Sequence, residues 1–131
     1  MKWFIAHKVS GEDYEQLEEE MKQFCSKLTE SGHEYYCSFL DRTMRKTESK
    51  EEKIKNAFDK IDSLDGILIM IKSDAKSEGM LLEAGYAIAK GKKFVLLIKE
   101  GATANYLRAL ANHVIEFNDN NDLLEKIGEI Q

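Results

Sequence analysis

Hydrophobic positions along this chain alternate between two spacings. Short apolar runs of five or six residues are separated by longer stretches in which apolar residues return every three or four positions. Lys2 to Ala6 is the first run, the pattern of a strand covered on both faces. Ser10 with Asp13 then forms a capping-box signature, and Tyr14, Leu17, Met21, Phe24, Cys25 and Leu28 follow at helical spacing until Ser31-Gly32 stops them. Tyr35 to Phe39 predicts a second strand, whose mixed character suits a sheet edge, and Asp41 to Glu48 a polar loop carrying Arg42 and Arg45. Ser49 with Glu52 caps a second helix with Ile54, Ala57, Phe58 and Ile61 on one face. Gly66 to Ile71 is the strongest central-strand signal. A third helix is predicted over Met80 to Lys90, closed by Gly91, and a fourth strand over Phe94 to Ile98. A short helix around Ala104 to Ala111, a strand at Val114 to Phe117 and a last helix near Leu123 to Ile130 complete the chain.

Strands alternating with helices imply right-handed crossovers and a parallel sheet covered on both faces. The expectation is one α/β domain over residues 1–131: a flavodoxin- or Rossmann-like three-layer sandwich with five parallel strands in the order 2-1-3-4-5. In such sheets ligands bind beyond the carboxyl ends of the strands, beside the switch point between strands 1 and 3. That rule places His7 to Asp13, Lys72 to Gly79 and Lys99 to Asn105 at the site.

Composition narrows the partners. Nineteen basic against 24 acidic residues leave a net charge of −5, which argues against a footprint on a nucleic-acid polymer. No stretch reaches the roughly 20 apolar residues of a membrane span, and Met1-Lys2-Trp3 runs straight into a strand, so a cytoplasmic protein is expected. The two cysteines, Cys25 and Cys37, match no metal or redox spacing and read as small buried hydrophobes. No metal-ligand cluster, dinucleotide-binding glycine loop or Ser/His/Asp set appears, so neither a metal nor another cofactor is expected.

The most informative residue is Glu83. From Met80 through Ala89 it alone is charged. A helix apolar nearly all round is packed on several sides, so a carboxylate within it sits at a cavity or is paired. Its place in the first turns, near the positive end of the helix dipole, favours the ionised form of a nucleophile. Acidic residues are also common in first turns for that dipole alone.

The segment Ser77-Glu78-Gly79-Met80-Leu81-Leu82-Glu83-Ala84-Gly85-Tyr86-Ala87-Ile88-Ala89-Lys90-Gly91-Lys92-Lys93, after a strand that begins past Asp65, resembles the signature of the nucleoside 2-deoxyribosyltransferase-like family, which includes 2'-deoxynucleoside 5'-phosphate N-hydrolases. The resemblance is detailed only from Asp65 to Ile98. It implies an enzyme that cleaves or transfers the N-glycosidic bond of a nucleoside or nucleoside monophosphate. Glu83 would attack the anomeric carbon, and Ser77 and Gly79 would hold phosphate or sugar. A carboxylate under the ring suits the chemistry, because bond cleavage passes through an oxocarbenium-like state. The resemblance further implies a homodimer or higher homo-oligomer whose neighbour helps to close the site.

Two positions depart from the family pattern. Its glycine-rich first loop is here His7-Lys8-Val9-Ser10-Gly11-Glu12-Asp13, where Lys8 and the amides of Ser10 and Gly11 are the candidates for phosphate or sugar and His7 for ligand contact. The family's acid/base Asp corresponds to Ala57. At about 100° per residue, Asp59 points roughly 140° from the apolar stripe and Asp62 about 80°. The general acid is therefore unassigned among Glu78, His7 and water. Asn105, with Thr103, opens the short helix where the family often places substrate or subunit contacts, and helix capping is the simpler explanation. Two alternatives stand beside the enzyme: a nucleotide-binding sensor that has lost its acid group, and a TIR-like NAD-cleaving or signalling module, suggested by Phe4-Ile5-Ala6-His7 before a capped helix.

Overall fold

The computed structural model describes residues 1–9, 11–41 and 49–130. Five parallel strands, β1 (Lys2–His7), β2 (Glu34–Tyr36), β3 (Gly66–Ile71), β4 (Lys93–Lys99) and β5 (His113–Phe117), form one sheet in the order β2-β1-β3-β4-β5, as the alternation implied. Ile5 stands beside Leu68, Leu68 beside Val95, and Leu97 beside Ile115. Period-two alternation then sends Trp3, Ile5, Leu68, Met70, Val95 and Leu97 to one face and Phe4, Ala6, Ile67, Ile69, Phe94 and Leu96 to the other. The first face packs on α1 (Tyr14–Glu30), on α5 (Asn120–Lys126) and on the 3₁₀ turn Ile127–Glu129. The second packs on α2 (Lys50–Ser63), α3 (Glu78–Ala89) and α4 (Asn105–Leu110). Every residue of β3 is buried, as a central strand covered twice must be.

Local chemistry sets the element ends. Asp13 caps α1 by accepting from the Gln16 amide at 3.1 Å, so the helix begins there and not from a Ser10 box; Ser10 lies outside the described residues. Ser49 caps α2 as expected, accepting from Glu52 N at 3.2 Å. Strand β2 is shorter than predicted. Its pairing ends at Tyr36, and Cys37 to Leu40 turn inward, where Cys37 and Phe39 join the α1 core. Apolar Cys37 and Phe39 mimic strand alternation because both are buried by the turn. The last helix starts earlier, at Asn120 with Asp119 as cap, and tightens into 3₁₀ geometry after Lys126. The all-round packing expected of α3 is also corrected. Leu81 and Leu82 are 42% and 51% exposed, so one side of this apolar helix faces outward.

Among the described residues no helix is long and apolar enough to cross a membrane, and no three potential ligand side chains converge on a metal position. His33 ties the termini to the sheet edge. Trp3 Nε1 donates to its Nδ1 at 3.2 Å, and its Nε2 lies 3.3 Å from the Ile130 carbonyl, which accepts.

Gly66 starts β3 where nothing larger fits: a Cβ there would come within 2.6 Å of the Trp3 ring and 2.7 Å of the Lys93 carbonyl. Gly66→Ala should therefore cost about 1–3 kcal/mol through overpacking. The expected outcome is a lower urea midpoint with an unchanged m-value, and an unchanged midpoint would contradict this packing.

Candidate active site

The carboxyl ends of β1 and β3 part their connections in opposite directions, α1 to one face and α3 to the other. Between them opens a small cleft, lined by His7 and Lys8 at the end of β1, Glu12 ahead of α1 and Leu17 within it, Met70 to Ser73 and Ala75 at and beyond the end of β3, and Met80 on α3. This is the switch-point position expected of the topology. Lys72 is neutralised by an ion pair with Glu20. Lys8 makes no ion pair among the described residues, which leaves its ammonium available at the cleft.

Glu83 lies one turn along α3 from Met80. It is half-buried and makes no hydrogen bond or ion pair with any described residue. Burial pushes its carboxyl up to about 7, opposed by the positive charge of His7 and reinforced by the sulfur of Cys37. The expectation that the helix dipole would favour the ionised form is therefore corrected. Glu83 is the sixth residue of α3, beyond the first turn in which the dipole acts, and desolvation outweighs it.

His7 ends β1 beside Cys37. Its Nδ1 lies 3.2 Å from the Lys8 carbonyl oxygen, which only accepts, so Nδ1 carries a hydrogen. Its Nε2 lies 3.8 Å from Cys37 Sγ, and its ring meets Phe39 edge-on at 5.4 Å. The cysteines are buried and free, as expected, but not inert hydrophobes. Cys25 donates to Cys37, which draws the Cys37 thiol down and pushes Cys25 up; burial opposes the first shift, and contact with His7 adds to it. Spacing along the chain cannot reveal this group, because α1, the turn after β2 and the end of β1 meet only once the sheet order is known.

The other sequence candidates divide. Ser77 is the N-cap of α3, its Oγ accepting from Met80 N at 3.4 Å, and Glu78 and Gly79 are exposed in the first turn. Gly11 takes the left-handed conformation with φ 81°, and a Cβ there would stand 3.5 Å from Lys8 Nζ, so the turn brings the two together. Ser10, Arg42 and Arg45 fall outside the described residues. Asn105 is exposed at the start of α4 and does not line the cleft. Neither it nor Thr103 caps that helix with its side chain: Asp74, from the loop after β3, accepts from Thr103 N at 2.8 Å and Ala104 N at 3.2 Å, which holds its carboxyl below the usual range. On α2, Ala57 is buried, Asp59 is exposed, and Asp62 accepts from the Tyr86 hydroxyl at 2.8 Å. Tyr86 stacks on Phe58 at 4.2 Å, so it is a packing residue between α2 and α3.

The sequence profile described as Nucleoside 2-deoxyribosyltransferase matches residues 5–124. This chain belongs to that family. Its fold is similar to that of a CMP N-glycosidase from Clostridium botulinum, at 23% identity and a TM-score of 0.74 over 100% of both chains. It is also similar to a 2-deoxyribosyltransferase from Bacillus psychrosaccharolyticus, at 23% identity and 0.71 over 95% of this chain and 90% of the other. A flavodoxin-like domain from Synechococcus shares the architecture more distantly, at 16% identity and 0.50 over 96% and 92%. A search of curated proteins finds no match. This chain thus carries a protonatable carboxyl on α3, one turn from the Met80 that lines the switch-point cleft.

A raised folded-state pKa means that the native state holds a proton between about pH 4.5 and 7 that the unfolded chain has released. This stability contribution is complete below pH 4.5 and is lost as pH rises through 7. Glu83→Gln should therefore be more stable than the parent at pH 8, by about 2 kcal/mol after allowance for partial solvent access, and the gap should close towards pH 4.5. Denaturation at the two pH values tests the sign, and a constant gap would place the titration elsewhere.

Proposed function

We propose that this deoxyribosyltransferase-family protein cleaves or transfers the N-glycosidic bond of a nucleoside or nucleoside monophosphate, with Glu83 as nucleophile. The observation that carries the reading is an unpaired, half-buried carboxyl one turn of α3 from the cleft-lining Met80, pushed up to about 7 by burial. A desolvated carboxylate without a counter-ion gains most when a positive charge develops above it, and the oxocarbenium-like sugar supplies that charge. A 5'-phosphate, where present, would meet the amides of Glu78 and Gly79 at the start of α3, with the Ser77 hydroxyl, the Lys8 ammonium and the turn at Gly11 completing its cradle. The similar CMP N-glycosidase and 2-deoxyribosyltransferase support this substrate class. Cytoplasmic residence belongs to the same reading, since two adjacent reduced thiols suit a reducing compartment.

The test is a chromatographic panel of ribo- and deoxyribonucleosides and their monophosphates, with and without an acceptor base. Base release is expected from at least one. Glu83→Gln should lower it at least about 10³-fold, and kcat/KM should rise with pH through about 7 as the nucleophile ionises. No release from any substrate, or equal rates for the variant, would end the enzymatic reading.

The burial of Ala57, where the family carries its acid, favours a second reading in which the protein binds a nucleotide without turning it over. Saturable binding of a monophosphate by calorimetry, with no release of base in the same panel, is its outcome.

Self-association completes the proposal. Leu81 and Leu82 on α3, with Tyr106 and Leu110 on α4, put four large apolar side chains in water on the α3–α4 side. A second copy covering α3 would also close the solvent side of Glu83. Sedimentation should show a dimer that Leu82→Glu dissociates, and a monomeric parent at high micromolar concentration would refute it.

A further inference from the structure

The α2 position that would supply a proton in this family is the buried methyl of Ala57, and the two neighbouring acids do not replace it. Asp59 is exposed, and Asp62 is occupied by the Tyr86 hydroxyl and by Lys90 at 3.9 Å. Glu78 points from the first turn of α3 into solvent. The sheet edge offers a different group. His7 ends β1 inside the cleft wall, half-buried, near enough to Glu83 for its charge to act on the carboxyl. Its ring is fixed on three sides, by the Lys8 carbonyl at Nδ1, the Phe39 edge and the Cys37 sulfur.

Resting on the glycosidic reading, we propose that His7 is the acid and base of the reaction, donating the proton that the departing base needs, and that Cys37 is the positioning residue behind it. Because Nδ1 keeps its hydrogen on the Lys8 carbonyl, Nε2 is the nitrogen that exchanges. The sulfur contact there, at 3.8 Å, is long and easily shared with a ligand. In the first step a Glu83 oxygen forms a bond to the anomeric carbon and the carbon–nitrogen bond breaks. Its electron pair goes to the base, which takes the Nε2 proton. In the second step neutral Nε2 removes a proton from water, the hydroxide oxygen bonds the anomeric carbon, and Glu83 leaves as carboxylate. The sum is glycoside plus water giving sugar plus base, with the imidazolium restored.

The groups facing this pair are Cys37 from the turn after β2, Lys8 and Glu12 at the end of β1 and the start of α1, Lys72 after β3 in its pair with Glu20, and Glu83 from α3. Removing the negative charge of the Cys37 sulfur should lower the titration of Glu83, and removing the positive charge of His7 should raise it. A residue with a purely structural role would move neither.

The experiment uses the whole chain and two leaving groups. Natural nucleosides and monophosphates require protonation of the base, whereas 4-nitrophenyl ribosides and 2-deoxyribosides, with and without a 5'-phosphate, expel a phenolate that does not. His7→Gln should slow base release about 10²- to 10⁴-fold while changing nitrophenolate release less than about tenfold. His7→Asn, which keeps a donor for the Lys8 carbonyl, should behave alike and controls for folding. Cys37→Ser should move the acid limb of the base-release pH profile downward. If His7→Gln loses both leaving groups equally, or neither, while Glu83→Gln abolishes turnover, His7 is not the acid and the Glu83 reading stands. If Glu83→Gln changes nothing, that reading falls and this one with it.

Discussion

Removing one carboxyl from water without giving it a partner is the constraint on which the rest of the site depends. An ionised carboxylate in a low-dielectric setting is costly unless it is paired, coordinated or neutralised by a proton. Glu83 has no paired cation among the described residues, and its titration rises to about 7. In the uncharged form the group resembles the apolar helix around it, and α3 packs on the sheet through Met80, Ala84 and Ala87. In the charged form it carries an unmet demand for positive charge. On the proposed glycosidic reading a sugar losing its base would satisfy that demand, so the instability of the ion in the free protein and its value in the transition state would have one origin.

The fold supplies this arrangement through its topology. Parallel strands bring every carboxyl end to the same edge, and the reversal between β1 and β3 opens that edge into a cleft. The order β2-β1-β3 also lays the turn after β2 against the end of β1, which places Cys37 and Phe39 on His7. Alternation along β1 continues from Trp3 and Ile5 to His7, on the α1 face, whereas Glu83 belongs to a helix on the other face. The charge of His7 acts on Glu83 across the end of the sheet. Both layers line the cleft at this edge, with Met80 from α3 and with Lys8 and Glu12 from the β1–α1 connection.

Much of this was legible in the sequence because the strongest signals are those of burial. The apolar runs at β1, β3 and β4 and the helical stripe of Leu17, Met21, Phe24 and Leu28 fix elements whose neighbours are all hydrophobic, and the strand order follows from their alternation. Glu83 stood out for the same reason, as a charge where none is expected. Its protonation was not legible, since the dipole is a property of position in the helix, while desolvation depends on what the tertiary fold packs around it. Asn105 and Cys37 err in opposite directions. Asn105 occupies a cap-like position whose capping is supplied by Asp74, about 30 residues earlier in sequence, and only the contact between the two loops reveals it. Cys37 gave no spacing signal, yet the sheet order places it beside His7.

The relation between Ala57 and His7 turns on the same geometry. A carboxyl on α2 would sit on the face that also carries α3, so acid and nucleophile would share one layer and their like charges would raise each other's titration. Under the proposal the proton donor at the end of β1 would be cationic when protonated, and the positive charge of His7 draws Glu83 towards ionisation. The sulfur of Cys37 then tempers that pull, because its negative charge acts on Glu83 in the opposite sense. A methyl at position 57 is compatible with turnover under the proposed arrangement: the buried Ala57 fills the α2–sheet core with Ile61 and Phe4, and the proton chemistry would belong to a strand end outside that core.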